Sequence, residues 1–361
     1  MIYLDHAATS KPLPAAIEAA TEAAVFCGNP SSFHEAGQRA AALLEDARKT
    51  VADALSVPPG DIVFVSGGTE ANNLACSVKG HIVLSALEHP SVRECVKNGP
   101  FSVVPPRPDG HMHPQDIADA VREDTVLVSC ISCCNETGAV NDISAIARAV
   151  REKNPKTLFH TDAVQAFLHV PLTSGNDMIS ISAHKIGGIQ GAGALYIKSG
   201  IKQVPLFFGG GQENGRRPGT QALPAICAFA AAVKAYRPPA PEIKAYALDT
   251  LISAGACIIP APDAPHIVAF GFIGVPGEVA ARMLSDFGIC AGTGSACSRG
   301  KKSPVTAALG LQHGLADCVL RISFGPGTSR EEIDVLTERI KEIAARIAPA
   351  GVRGKRHKTH T

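Results

Sequence analysis

The sequence has no tryptophan, only four tyrosines and four methionines, and just 19% charged residues in a chain of 361. No apolar run approaches the ~20 residues that cross a bilayer, and the first segment, MIYLDHAATSKPLP, has no basic stretch ahead of an apolar one. A membrane span and a secretory leader are therefore not expected, and the cytoplasm is the expected location. Neither sign of charge dominates: Lys+Arg 34 against Asp+Glu 33 leaves +1, with no electrostatic drive toward nucleic acid or an anionic membrane. What the chain does have is 45% hydrophobic residues, enough for one or two sizeable cores. It also has eleven cysteines, an odd number too scattered for the disulfide framework of a small secreted domain, which points to free thiols in a reducing compartment.

Between His34 and Ser56 the residues Ala36, Ala40, Leu43, Leu44, Ala47, Val51 and Leu55 recur at helical spacing, and Pro58-Pro59-Gly60 ends the run. Short β-branched runs follow at Ile62–Val65, His81–Leu84, Thr125–Ile131, Thr157–His160, Met178–Ser182 and Ala194–Ile197. Helix-length stretches at Thr69–Val78, Asp116–Arg122 and Asp142–Lys153 lie between many of them. Alternating strands and helices predict an α/β domain with a largely parallel sheet, whose ligands bind where strand carboxyl ends meet the next loops. After Ala222 the pattern shifts to helices at Ile226–Tyr236 and about Glu242 to Ala254. Strands Ala256–Ile259, His266–Phe270 and Val319–Ser323, helix Gly277–Phe287 and a last helix opened by the capping box Ser329/Glu332 predict a smaller α+β unit. The basic tail 351–361 lacks apolar anchors and reads as disordered.

Several strand ends carry reactive groups. Lys185 closes an apolar strand beside Gly187 and Gly188. A partly desolvated amine next to another cation, here His184, has the character of a Schiff-base nucleophile. Asp162 ends a second strand with Gln165 three residues on; its carboxylate suits the protonated ring nitrogen of pyridoxal phosphate (PLP) or a helix cap. Ser66-Gly67-Gly68-Thr69-Glu70 turns from strand to helix and suits a phosphate, without a Walker lysine or a dinucleotide fingerprint. His89 lies at a third strand end, where an imidazole can stack on a ring or move protons. Cys297 sits in a Gly/Ser-rich loop beside Arg299, Lys301 and Lys302, a setting for an activated thiolate. Cys130-x-x-Cys133 lacks the second pair of a four-thiolate site, so packing outweighs redox or metal binding, and no metal is expected. Arg321, a cation inside an apolar strand, needs an anion, either a carboxylate of the protein or one of a substrate.

In order along nearly the whole chain, these pieces resemble the signatures of NifS/IscS-type cysteine desulfurases, aminotransferase class V enzymes of PLP fold type I. The resemblance rests on Tyr3-Leu-Asp-His-Ala-Ala-Thr9, Gly28-Asn-Pro-Ser31, Ser66-Gly-Gly-Thr-Glu70, Glu88-His89, Asn135-Glu-Thr-Gly138, Asp162-Ala-Val-Gln165, Ser182-Ala-His-Lys185, Gly209-Gly-Gly-Gln-Glu213, Arg217-Pro-Gly-Thr220, Gly294-Ser-Ala-Cys297 and Arg321-Ile-Ser-Phe324. Pro218, Cys134 and Ala183 stand where the pattern commonly has a small polar residue, Asn and Gly.

The resemblance implies a large PLP-binding domain over 13–236 with a mainly parallel seven-stranded sheet, and a small domain from 1–12 and 237–350. It implies that Lys185 binds PLP covalently, that Asp162 meets the ring nitrogen and Gln165 the phenolic oxygen, and that His89 stacks on the ring. Gly68, Thr69, Ser182 and His184 would cradle the phosphate, joined by Thr220 of a second subunit in a homodimer. Asn135 and Arg321 would hold the carboxylate of L-cysteine, Lys185 would take its Cα proton, and Cys297 would accept the sulfur as a persulfide, releasing L-alanine, with His89 as a proton carrier. The sulfur would pass to an acceptor protein, an Fe–S scaffold or a tRNA or thiamine thiolation protein. An aminotransferase needs no loop thiol, and a silent carrier or scaffold would not need Lys185, Asp162, His89, Arg321 and Cys297 together. Selenocysteine lyase remains the alternative on this fold.

Overall fold

The computed structural model describes residues 1–172, 175–294, 303–312 and 314–347. Its elements, in order, are β1 (Ile2–Tyr3), α1 (Pro14–Val25), α2 (Glu35–Leu55), β2 (Ile62–Val65), α3 (Gly68–Ala75), β3 (His81–Ser85), α4 (Pro90–Arg93), β4 (Phe101–Val104), α5 (Pro114–Asp119), β5 (Thr125–Ser129), α6 (Ile143–Lys153), β6 (Leu158–Asp162), β7 (Met178–Ser182) and β8 (Gly193–Ile197). They continue with α7 (Leu223–Ala235), α8 (Pro241–Ser253), β9 (Cys257–Ile258), β10 (Ile267–Gly271), α9 (Gly277–Asp286), β11 (Ile289–Cys290), α10 (Pro304–Ala308), β12 (Val319–Ser323) and α11 (Arg330–Ile347).

The large sheet has seven strands in the order β2-β8-β7-β6-β5-β3-β4, and β8 alone runs against its neighbours. This is the expected mainly parallel sheet of an α/β protein. Strands β2, β3, β7 and β8 are buried along their whole length, which is why they read as unbroken β-branched runs without alternation. The strand β4 escaped the sequence reading because it is a short, half-exposed edge.

One face of the sheet packs on α2 and α7. The buried stripe of α2, Ala40, Leu44, Ala47, Val51 and Leu55, follows the spacing read from the sequence. That helix also buries a cation. Arg48 makes a two-pronged pair with Glu213, Nη1 to Oε2 at 2.7 Å and Nη2 to Oε1 at 2.9 Å, and Glu213 also accepts from the Phe64 amide. Removing one member of a buried pair strands the other charge, so Arg48→Leu is expected to lower the unfolding free energy by about 3–5 kcal/mol, read by urea denaturation. A loss below about 1 kcal/mol would show that Glu213 finds water or another partner.

A second sheet, β12-β10-β9, is antiparallel, and β1 pairs with β11 beside it. Leu4, Val268, Phe270, Leu320 and Ile322 share a core with α8, α9 and α11. At the start of α11 the Ser329 amide donates to Glu332 Oε2 (3.1 Å) and the Glu332 amide to Ser329 Oγ (3.4 Å), the reciprocal cap its sequence predicts. Among the described residues no helix is long and apolar enough to cross a membrane.

Candidate active site

With β2, β3, β6 and β7 running the same way, their carboxyl ends open on one edge of the large sheet. A cavity of about 280 Å³ lies there. It brings together Gly68, Thr69, His89, Asn135, Asp162, Gln165, Ser182, His184, Lys185 and Arg321, all singled out from the sequence. Thr220 is exposed on its loop and does not line the cavity. Cys297 and the tail 351–361 lie outside the described residues.

The turn from β2 into α3 is built by backbone contact. A Cβ at Gly193 would come 2.7 Å from Gly67 Cα, and one at Gly68 would come 2.7 Å from Val164 Cγ2, so strand, turn and helix close up only with glycine there. Glu70 clamps the turn, accepting from the Ser66 amide at 2.7 Å and from Arg217 Nε at 2.9 Å. Ser182 Oγ is buried in the same cavity without a hydrogen-bond partner. An unpartnered hydroxyl beside the open amides of a helix start suits a phosphate oxygen, and the chemistry of this donor set fits the phosphate of PLP.

Lys185 follows β7 on a tight turn, and its Nζ donates to the carbonyls of Ala7 (2.6 Å) and Ala8 (2.9 Å), 178 and 177 residues earlier in the sequence. Gln165 Nε2 donates to the same Ala7 carbonyl at 2.8 Å, while its Oε1 lies 3.2 Å from His266 Nε2. His266 is fully buried and stacks on His169 with ring centroids 3.6 Å apart. Burial, then the neighbouring His169, pushes its pKa well down, so His266 is neutral.

His184 is a correction to the expectation of a cation beside Lys185. Burial and the lysine's own charge lower its pKa to about 4, so at neutral pH it carries no charge, and it meets Thr9 Oγ1 through Nδ1 at 3.2 Å. His89 is likewise shifted down, by burial first.

Asp162 closes β6 with both oxygens engaged: Oδ1 accepts from the Val164 amide at 2.9 Å and Oδ2 from Asn72 Nδ2 at 2.7 Å. Nearby Glu88 is fully buried, bonded to Ser85 Oγ and the Ile131 amide. Burial and the Asp162 charge raise its pKa to about 8, so Glu88 holds a proton at neutral pH.

Arg321 is 2% exposed and reaches the cavity from β12. The sequence leaves its anion open; the structure supplies an internal one, with Nη2 on Asp5 Oδ1 at 2.8 Å and Nη1 on the Asn135 carbonyl at 2.7 Å. Its Nε is buried without a partner. Cys130 and Cys133 are fully buried, and burial raises both thiols well above the ordinary value, as packing groups rather than thiolates. Asn72, Ser91, His266 and Glu88 had no assigned part in the sequence reading. The first two also line the cavity, and their partners are too distant in sequence for spacing to show.

The aminotransferase class-V family model matches residues 2–336. A NifS/IcsS protein homologue of Lactobacillus delbrueckii subsp. bulgaricus is 36% identical over 376 residues, covering 95% of this chain and 97% of its own. A putative cysteine desulfurase IscS 1 of Bacillus subtilis is 33% identical over 96% of this chain and 99% of its own. Among solved structures, a NifS-like protein superposes with a TM-score of 0.88 at 30% identity, covering 96% of this chain and 99% of its own. A NifS-like protein of Rickettsia africae gives a TM-score of 0.87 at 28% identity, covering 96% and 99%. Fold and cradle together are those of a PLP enzyme of fold type I. The chain belongs to the aminotransferase class-V family and, within it, to the NifS/IscS type of cysteine desulfurase.

Proposed function

We propose that the protein converts L-cysteine to L-alanine and transfers the sulfur to Cys297. The observation that carries this reading is the single cavity in which Lys185, Asp162, Gln165, His89, Ser182 and Arg321 converge. PLP, when bound, supplies an electron sink conjugated to the substrate's Cα. Lys185 holds it and takes the Cα proton on Nζ. Asp162, its carboxylate oriented by the Val164 amide and Asn72, would meet the ring nitrogen. Gln165 has one Nε2 hydrogen on Ala7 and the other left for the phenolic oxygen, and its carbonyl is held on the His266 side. Gly68, Thr69, Ser182 and His184 cradle the phosphate, and His89 covers the ring.

Arg321 and Asn135 hold the substrate carboxylate. Asp5 keeps the guanidinium in place, and a Cβ at Gly292 would come 2.9 Å from both Asp5 Oδ1 and Arg321 Nη2, so glycine leaves room for the pair. A lysine cannot reproduce the fork. Arg321→Lys is expected to raise KM for L-cysteine roughly ten- to a hundredfold, the worth of about 1.5–3 kcal/mol for a charged hydrogen bond, with a smaller change in kcat. Unchanged KM would assign Arg321 to Asp5 alone.

In the sulfur step the substrate's Cβ–S bond breaks and an S–S bond forms to Cys297. The carbon fragment keeps the bonding pair and is protonated to alanine, so a thiol and a thioalcohol become a persulfide and a methyl group. Gly294 and Ser303, the described residues on either side of 295–302, both lie against Glu136. A Cβ at Gly294 would lie 3.1 Å from Glu136 Oε2, and Ser303 Oγ donates to the same oxygen. Glu136 adjoins Asn135.

Thr220, exposed and away from its own chain's cavity, is assigned to the partner's phosphate in a homodimer. Phe33, Phe207 and Phe208, 95%, 53% and 90% exposed, support burial against a second copy. We also infer the division into 13–236 and 1–12 with 237–350, supported by the pairing of β1 with β11 and the burial of Leu4 against α11. The final recipient of the sulfur is a protein thiol, as on a scaffold or thiolation protein.

The test is alanine and sulfide release from L-cysteine with dithiothreitol, run beside selenocysteine. Equimolar alanine and sulfide is the expected result. Release from selenocysteine alone would replace this reading with selenocysteine lyase.

A further inference from the structure

A directed chain of hydrogen bonds runs from Asp162 to His89. Asp162 Oδ2 is an acceptor, so Asn72 must turn its amide nitrogen to it; the opposite flip would set the Asn72 carbonyl against a carboxylate. Asn72 Nδ2 then has one hydrogen on Asp162 (2.7 Å) and the second on Ser91 Oγ (2.8 Å). With its oxygen accepting from Asn72, the Ser91 hydroxyl directs its own hydrogen to His89 Nδ1, 2.7 Å away. The Ser91 backbone amide donates to the same nitrogen at 3.1 Å. A ring nitrogen that receives an N–H cannot carry a hydrogen of its own. His89 Nδ1 is therefore a lone pair, held by two donors from a single residue.

We propose that Ser91 is a positioning residue that fixes His89 as the neutral tautomer with its hydrogen on Nε2, so that His89 serves this site as a hydrogen-bond donor and not as a base or an imidazolium. What that donor does for the reaction rests on the function proposed above; the tautomer itself does not. The charges facing the ring are Asp162, which favours the imidazolium, and Lys185 and Arg93, which oppose it; burial outweighs all three. The proton work at Cα falls to Lys185. The ring that covers the cofactor and the carboxylate that tunes it are thus set by one chain, in which Asn72 reads the polarity of Asp162 and Ser91 passes it on.

The test is nitrogen NMR of the holoenzyme with 15N-labelled histidine, His89 being assigned by its loss in His89→Gln. Wild type is expected to show His89 with an acceptor-type Nδ1 and a protonated Nε2 throughout pH 6 to 9 (roughly the window around an ordinary imidazole). In Ser91→Ala one of the two donors is gone. The His89 protonation midpoint is expected to rise by about one unit, and kcat to fall about tenfold with KM little changed and its acid limb moved upward. Ser91→Thr, which keeps the hydroxyl, is expected to restore the wild-type midpoint and most of kcat. A hydrogen on Nδ1 in wild type, an imidazolium at pH 7.5, or a midpoint unmoved in Ser91→Ala would overturn the proposal. Because the spectrum needs no turnover, a protein inactive on L-cysteine that still shows this tautomer would refute the proposed function alone.

Discussion

Cys297→Ala is expected to stop alanine release from L-cysteine, a fall of at least about a thousandfold, while the visible absorbance of bound PLP stays as in wild type. The two readouts separate because the residues proposed to hold the cofactor are others. Lys185, Asp162, Ser182, Gly68 and Thr69 line the cavity and lie outside 295–302. The three thiols that follow β5 offer no substitute. Cys130, Cys133 and Cys134 are fully buried, and burial raises their thiols, Cys134 to about 11, so a nucleophilic thiolate is not available from them at neutral pH. A Cys297→Ala protein that still made alanine at a tenth of the wild-type rate would mean that sulfur leaves without a protein nucleophile.

Lys185→Ala is expected to cost more, because one amine has two tasks. In the proposed reaction it would retain the cofactor as covalent anchor and remove the Cα proton as base; the second task alone contributes about two to four orders of magnitude. Alanine formation is expected to fall by about 10⁴ or more, and PLP to be lost on dialysis. The carbonyls of Ala7 and Ala8 now bonded to Nζ would be left to water. Activity above about 1% of wild type, measured after reconstitution with excess PLP, would place the base elsewhere.

How much of this was legible in the sequence depended on how far apart the partners lie. The strand Ile62–Val65, the strand Met178–Ser182 and the cap Ser329/Glu332 are local patterns, and the structure repeats them to the residue. The helix α1 carries alanine on every side and so offers no contrast between faces to read. The pair Arg321–Asp5 joins residues 316 apart, and the bond from Asn72 to Asp162 joins residues 90 apart, separations that no spacing rule covers. The expected charge on His184 failed for another reason. Sequence shows that a histidine adjoins a lysine, but not that both are carried below the surface, where the imidazole gives up its proton first.

The pairing of β1 with β11, and the hold of Lys185 on Ala7 and Ala8, set an order on the molecule's birth. Ile2 and Tyr3 leave the ribosome long before their partners Ile289 and Cys290. The large sheet is delayed in the same way, since β2 meets the other strands only through β8. Contacts of such separation are slow to close and leave apolar edges open meanwhile. The pocket-lining Arg321 pairs with Asp5, 316 residues before it, so the pocket is complete only after β12 has been made.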